Sequence, residues 1–406
     1  MSPDLPDSEK SDNLNTMADE PLQINGEALC VHRPGRHTRG LRGWDAADEL
    51  LLMQGLEHLQ DRQNLRILIV DDQFGALSLG LSKFSPTMLA DSATLAAALR
   101  LNHSLNDHLS DDTAMAFDAP LSWLEPPRGK FDLVVLRIPR QTDYLAWLLR
   151  WANQVLDPAG LIIAGGMIKH LPDRSSEVFG DLVDTQTVTR ARKKARVIIS
   201  RPGEKTLQSW SEQWQGYGLP EASLEIDALP AVFSRRKLDI GTRELLPVVR
   251  QHAAGLAPGS RVLDLACGNG VLGLAALAQR EDLEITFSDV SSQAVLSARH
   301  NVGRAFPGSK SHFCHCDGLP ATETGFDLIL LNPPFHEGGV VGDHIALTLF
   351  EQSAAMLAPA GRLLLVGNRH LGYHRTLKTS FSRVRQLVST PKFVVLEAAH
   401  QASGRV

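Results

Sequence analysis

The chain repeats itself. The stretch ILIVDDQFGALSLGL (67–81) matches VLDLACGNGVLGLAA (262–276), and FDLVVLRIPR (131–140) matches FDLILLNPPF (326–335), both at an offset of 195. Between these, LADSATLAAALRLN (89–102) parallels FSDVSSQAVLSARHN (287–301). After them, DPAGLIIAGGMIKHL (157–171) parallels APAGRLLLVGNRHL (358–371) at an offset of 200 or 201. Four matches in one order at a nearly constant offset imply duplicated domains. Strand-like apolar runs alternate with helical stretches, the pattern of a parallel sheet covered by helices. The expected fold is therefore α/β, with two tandem Rossmann-like domains. The 406 residues suffice for both, since a domain usually holds roughly 100–200 residues.

Residues 1–28 are polar, acidic and rich in Ser, Asp and Pro, and are expected to form a disordered tail. The first copy then spans 29–200, a linker with lead-in strands 201–235, and the second copy 236–406. The first twenty residues hold six acids against Lys10, which accounts for the net charge of −5 and leaves the remainder near neutral. A local basic patch can still meet a polyanion, and Arg190, Arg192, Lys193, Lys194 and Arg196 form one; a solvated helix face is the other reading. The N-terminus lacks a basic segment followed by an apolar one, and no window approaches the roughly 18 uncharged apolar residues of a membrane helix. A cytoplasmic protein without membrane partners is expected. Its four cysteines are too few and too uneven for a disulfide framework.

The copies differ where a ligand would bind. Gly268 corresponds to Gln73, Cys267 to Asp72, Asp264 to Ile69, Asn332 to Arg137 and Pro333 to Ile138. Only the second copy is expected to keep a site. There an apolar strand carries Asp264 and runs into Cys267, Gly268, Asn269 and Gly270, a glycine-rich turn that lets a ligand approach the backbone at the strand-end crevice. Asp289 ends the next strand, where a carboxylate can accept from ribose hydroxyls. The loop is not G-x-G-x-x-G, which favours a ligand with ribose, adenine and an amino-acid tail over a dinucleotide. S-adenosylmethionine fits that description, with Asp264 suited to its ammonium group or to organising the loop. Asp317 is placed either to accept from the adenine amine or to serve the turn before Gly318. His312, Cys314, His315 and Cys316 invite a metal reading. Their strand-like alternation and the lack of CxxC-type spacing argue against one, so no metal is expected.

Asn332, Pro333, Pro334 and Phe335 follow the presumed fourth strand. A conjugated amine is a poor nucleophile because its lone pair is delocalised. If the Asn332 side-chain oxygen and the Pro333 carbonyl each accept one of its N–H bonds, the lone pair is free to meet an incoming methyl group. The prolines fix the backbone, and Phe335 offers a stacking face for a planar base.

These residues resemble the amino-methylating class I S-adenosylmethionine-dependent methyltransferases, with their N-P-P-[FY] motif. Together with WDAADELLL (44–52), FGALS (74–78), KKAR (193–196), VFSRRKLDIGTRELL (232–246), GNRHLGY (367–373) and KFVVLEA (392–398), the pattern is similar to the bacterial ribosomal RNA guanine-N2-methyltransferases with duplicated domains. The large-subunit (23S) branch is the most similar, and the 16S-specific branch is a close relative. The resemblance implies a catalytic C-terminal domain and a degenerate N-terminal methyltransferase-like domain that helps recognise RNA. It further implies that Asp239, Gly241 and Thr242 lie across the cofactor, although Asp239 could equally cap the helix that follows. The implied partner is ribosomal RNA, free or in a ribosomal assembly intermediate, and a monomer suffices. Release-factor glutamine methyltransferases share an Asn-Pro-Pro motif, but usually end it in Tyr and carry a small helical N-terminal domain. A non-catalytic RNA-binding scaffold would suit only the first half.

Overall fold

A computed structural model describes residues 20–35, 41–106, 119–172, 174–319, 323–334 and 343–400. A short hairpin of β1 (Leu22–Ile24) and β2 (Glu27–Leu29) precedes α1 (Ala46–Leu59). The N-terminal domain continues with β3 (Ile67–Val70), α2 (Ala76–Gly80), β4 (Thr87–Leu89), α3 (Thr94–Leu105), β5 (Phe131–Arg137), α4 (Thr142–Val155), β6 (Leu156–Met167), α5 (Ser175–Leu182), β7 (Asp184–Val188) and β8 (Ala195–Arg201). Another hairpin, β9 (Gln215–Leu219) and β10 (Leu224–Ala228), leads into α6 (Ile240–Ala254). The C-terminal domain then runs through β11 (Arg261–Leu265), α7 (Val271–Leu277), β12 (Glu284–Asp289), α8 (Ser292–Ala305), β13 (Lys310–His315), β14 (Phe326–Leu331), α9 (Asp343–Met356), β15 (Leu357–Asn368), β16 (Arg383–Ser389) and β17 (Phe393–Ala399).

The two sheets have one topology. Strand order is β4-β3-β5-β6-β8-β7 in the first and β13-β12-β11-β14-β15-β17-β16 in the second, with antiparallel pairing at the β8 and β17 end of each. A parallel bridge between Leu89 and Leu121 marks the edge that β13 occupies in the second sheet. Apolar runs such as ILIV in β3 and the LILL of β14 are buried on both faces because helices cover both sides. In the second sheet, Leu328, Leu330, Leu364 and Val366 face α6, α7 and α8, while Ile329, Leu331, Leu363 and Leu365 face α9.

One sequence boundary shifts. Leu22 is fully buried in β1, so ordered structure begins inside the stretch expected to be a disordered tail, because Leu22 and Ile24 cover the apolar face of α1. Residues 1–19 of that tail lie outside the described residues. The segment expected as a linker with lead-in strands is tied to α8. Asn301 brackets the Asp227 peptide through 2.9 and 2.7 Å bonds, Ser297 Oγ accepts from Leu229 N, and Gln293 Oε1 accepts from Ala231 N.

The halves also bond directly. Asp91, at the end of β4, accepts on one carboxylate oxygen from Ser292 Oγ and Gln293 N, both at 2.9 Å, and its carbonyl accepts from Ser292 N at 2.8 Å. Ala93 N donates back to the Val290 carbonyl. The acid matching Asp289 in the first copy thus caps the helix that follows Asp289 in the second. Beside this contact, Trp123, Trp147 and Trp151 share one apolar cluster with Ala294, Leu229 and Val232.

Candidate active site

The glycine turn sits at the C-terminal end of β11, next to β12 and β14. Ala266, Gly268 and Gly270 all have positive φ, which Gly268 (55°) and Gly270 (81°) adopt without the penalty a Cβ would bring. Nothing lies within 4 Å of where a Cβ on Gly268 would stand, so that face of the turn is open. Cys267 is buried, its N–H donating to the Ser288 carbonyl, and burial pushes its thiol well above the usual range. Asp264 is 1% exposed. One of its oxygens accepts from Gly273 N at 2.8 Å; the other is buried without a partner, and burial, with Asp289 adding to the effect, pushes the carboxyl up to about 8. Asn269 turns away from the open face, its Nδ2 donating to Tyr217 Oη at 3.2 Å while its carbonyl accepts from Asn301.

Asp289 is braced at both oxygens, accepting from Gly268 N at 2.8 Å and Ser291 N at 2.9 Å. Burial raises it to about 6. Its fixed carboxylate presents its remaining lone pairs beside the turn. Asp317 lies exposed at the bend after β13, where Gly318 has a φ of 83°. Cys316 Sγ donates to the Gly318 carbonyl at 2.8 Å, and among the described residues no group of three or more His, Cys, Asp or Glu is placed to hold a metal ion.

Asn332 follows the last residue of β14. Its Nδ2 donates to Thr242 Oγ1 at 2.9 Å and to Asp239 Oδ2 at 3.3 Å, while Oδ1 is buried with no partner. Asp239 caps α6, accepting from Thr242 N at 2.8 Å. Asp239 thus takes the helix-cap role and also holds the amide of the catalytic candidate. Gly241 allows a close approach, since a Cβ there would stand 3.0 Å from Asp239 Oδ2 and 3.2 Å from the Phe393 ring. Pro333 is buried and Pro334 exposed; Phe335 lies outside the described residues.

At the matching place in the N-terminal domain, Arg137 is 7% exposed and forks onto Asp45 at 2.9 and 3.1 Å, with Asp48 at 3.0 Å. Asp45 caps α1 as Asp239 caps α6. A guanidinium thus fills the place of the amide, and Gln73 and Phe74 stand in the turn. With Asp91 bonded to α8, this copy has neither a free ribose acid nor an acceptor amide at these places.

The basic cluster is not a helix face. Arg190 to Lys194 lie in the turn between β7 and β8 and Arg196 in β8 itself, with Lys193 and Lys194 at positive φ because the hairpin reverses there. Arg192 and Lys193 pair with Glu49 at 3.3 and 2.7 Å, leaving Arg190 and Lys194 exposed. Sequence reasoning missed Tyr217, whose long-range bond to the turn carries no local signal. It matched the stretch 89–102 to 287–301 but did not show that Asp91 reaches the other domain.

Comparison with known proteins matches residues 19–204 to the RLMG N-terminal domain and 223–397 to the Methyltransferase small domain. The chain is 38% identical over 377 residues to Ribosomal RNA large subunit methyltransferase G of Alcanivorax borkumensis, covering 90% of this chain and 94% of that protein. It is 37% identical over 374 residues to the protein of that name from Pseudomonas putida (strain GB-1), covering 92% and 97%. Among solved structures, the T. thermophilus 16S rRNA N2 methyltransferase in complex with AdoMet and guanosine superposes with a TM-score of 0.71 over 94% of this chain and 97% of that one. At 24% identity, that likeness speaks for the fold: two tandem Rossmann-like domains.

Proposed function

The chain belongs to the ribosomal RNA large subunit methyltransferase G family of S-adenosylmethionine-dependent enzymes, and on that premise we propose that it methylates the exocyclic N2 amine of a guanine in 23S ribosomal RNA. One observation carries the chemistry. Asn332 has its amide nitrogen tied to Thr242 and Asp239, while its oxygen is buried and unpaired. Leaving a buried acceptor unmade costs free energy, so its use is to accept from something that enters the site.

The residues present fit the cofactor. Asp264 holds an orphaned carboxylate oxygen, Gly268 leaves the backbone open to a ligand, and Asp289 is braced at the strand end from which ribose hydroxyls are bound. These three, with Asp317 at the rim, would hold S-adenosylmethionine, which when bound supplies an electrophilic methyl group on a sulfonium sulfur. Asn332 Oδ1 and the Pro333 carbonyl accept the two N–H bonds of the target amine and orient its lone pair. The amine proton is lost to solvent after transfer. Positioning and preorganised acceptors provide the catalysis.

A base stacked in a helix cannot reach such a crevice, so the target is unpaired or flipped out. The N-terminal domain, with the cations of the β7–β8 turn, would contact the surrounding RNA, whether naked or in an assembly intermediate, and a monomer suffices. The test compares ribosomal RNA from cells with and without the protein by mass spectrometry. The expected result is loss of N2-methylguanosine from 23S rRNA alone. Unchanged 23S rRNA would refute the proposal, and loss from 16S rRNA would move the target to the small subunit.

A further inference from the structure

A second amide shares the odd state of Asn332. Asn368 ends β15, the strand beside β14, and its Oδ1 is also buried with no partner. It stands at the first position of a short 3-10 turn, where an asparagine usually caps the backbone, yet its side chain makes no capping bond.

Sheet geometry places the two amides on one face at the same end of neighbouring strands, Asn332 opposite Val366 and Asn368 two residues further along β15. Leu331 is in register with Leu365, and Leu330, Leu364 and Val366 lie on the face covered by α6, so Asn332 and Asn368 continue that face on neighbouring strands. Gly367 agrees, because a Cβ there would meet the Tyr373 ring on the opposite face. Asn368 is paired with Phe393, whose ring borders Gly241, and Gly241 lies between Asp239 and Thr242, which hold Asn332.

The degenerate copy is an internal control. The strands Leu156–Met167 and Leu357–Asn368 have equal lengths and matching ends, so Met167 stands where Asn368 does. That copy carries Arg137 and Met167 in place of both amides.

We propose that Asn368 reads the target base, its Oδ1 accepting the N1–H of the guanine whose N2 amine is held by Asn332. Guanine presents N1–H and the N2 amine side by side on one edge, so two acceptors on one face of the sheet match two neighbouring donors. This inference rests on the function proposed above.

The test uses the full-length enzyme and a synthetic RNA carrying, at the mapped target position, either guanine or 2-aminopurine, which keeps the 2-amine but has no N1–H. Wild-type enzyme is expected to prefer guanine by about tenfold to a hundredfold in kcat/KM, since 2-aminopurine leaves the acceptor unpaired. Asn368→Ala, and Asn368→Met, a residue the first copy already accommodates at this place, should lose that preference while binding S-adenosylmethionine as wild type by calorimetry. Asn368→Asp keeps an acceptor and should retain the preference. Undiminished preference in the Ala and Met variants would overturn the assignment. So would a matching loss of cofactor affinity in all three variants, which would make Asn368 structural. If wild-type enzyme fails to methylate the guanine RNA at N2, the functional reading falls instead.

Discussion

Replacing Asp91 with Ala tests whether the degenerate domain supports the catalytic one. The substitution removes the acceptor for Ser292 Oγ and Gln293 N, both residues fully buried. Each buried donor left unpaired costs about 1–3 kcal/mol. Burial also pushes the Asp91 carboxyl up, so relief of that penalty returns part of the loss, and a net destabilisation of about 2–3 kcal/mol is expected. The damage falls at the start of α8, beside Ser291, whose N–H braces Asp289. Urea unfolding should therefore begin at lower concentration, and calorimetric titration should show S-adenosylmethionine binding weakened by about threefold to tenfold, with Asp91→Asn milder on both counts. An Asp91→Ala protein that keeps its unfolding midpoint and cofactor affinity would refute this reasoning.

Removing the ribose acid itself with Asp289→Ala should weaken cofactor binding by about 1.5–3 kcal/mol, read by the same titration. Stability should fall as pH rises from about 4 to about 8. Asp264 is pushed up to about 8 and Asp289 to about 6, so over that range the folded chain binds more protons than the unfolded chain, whose carboxylates titrate near 4. Urea midpoints across this range check it, and Asp264→Asn should flatten the curve. Changing Arg190, Lys194 and Arg196 to Gln should weaken RNA binding and make it less sensitive to salt, the slope of log K against log salt becoming shallower by up to about three; an unchanged slope would make the turn a solvated surface.

The duplication was legible because both copies keep their strands in apolar runs of one order, and burial on both faces demands such runs. The site was legible in part: a glycine turn, an acid at the next strand end and two prolines after a strand are local features. What the sequence hid is long-range. Thr242 and Asp239 meet Asn332 from far along the chain, Tyr217 reaches Asn269, and Asp91 reaches Ser292 from another domain. No periodicity encodes these pairings, because they depend on which strand ends and helix ends the fold brings together. The local shape of the basic run 189–196 was hidden as well: its charge pattern is compatible with a helix, and the two positive-φ lysines that make it a hairpin turn leave no mark in composition.

The most direct measurement is single-turnover methyl transfer to ribosomal RNA by Asn332→Ala, alongside its affinity for S-adenosylmethionine. Loss of the unpaired amide oxygen should slow transfer by about a hundredfold or more while cofactor affinity stays near wild type. Transfer at the wild-type rate, or a collapse of cofactor binding that accounts for the loss, would contradict the role given to Asn332.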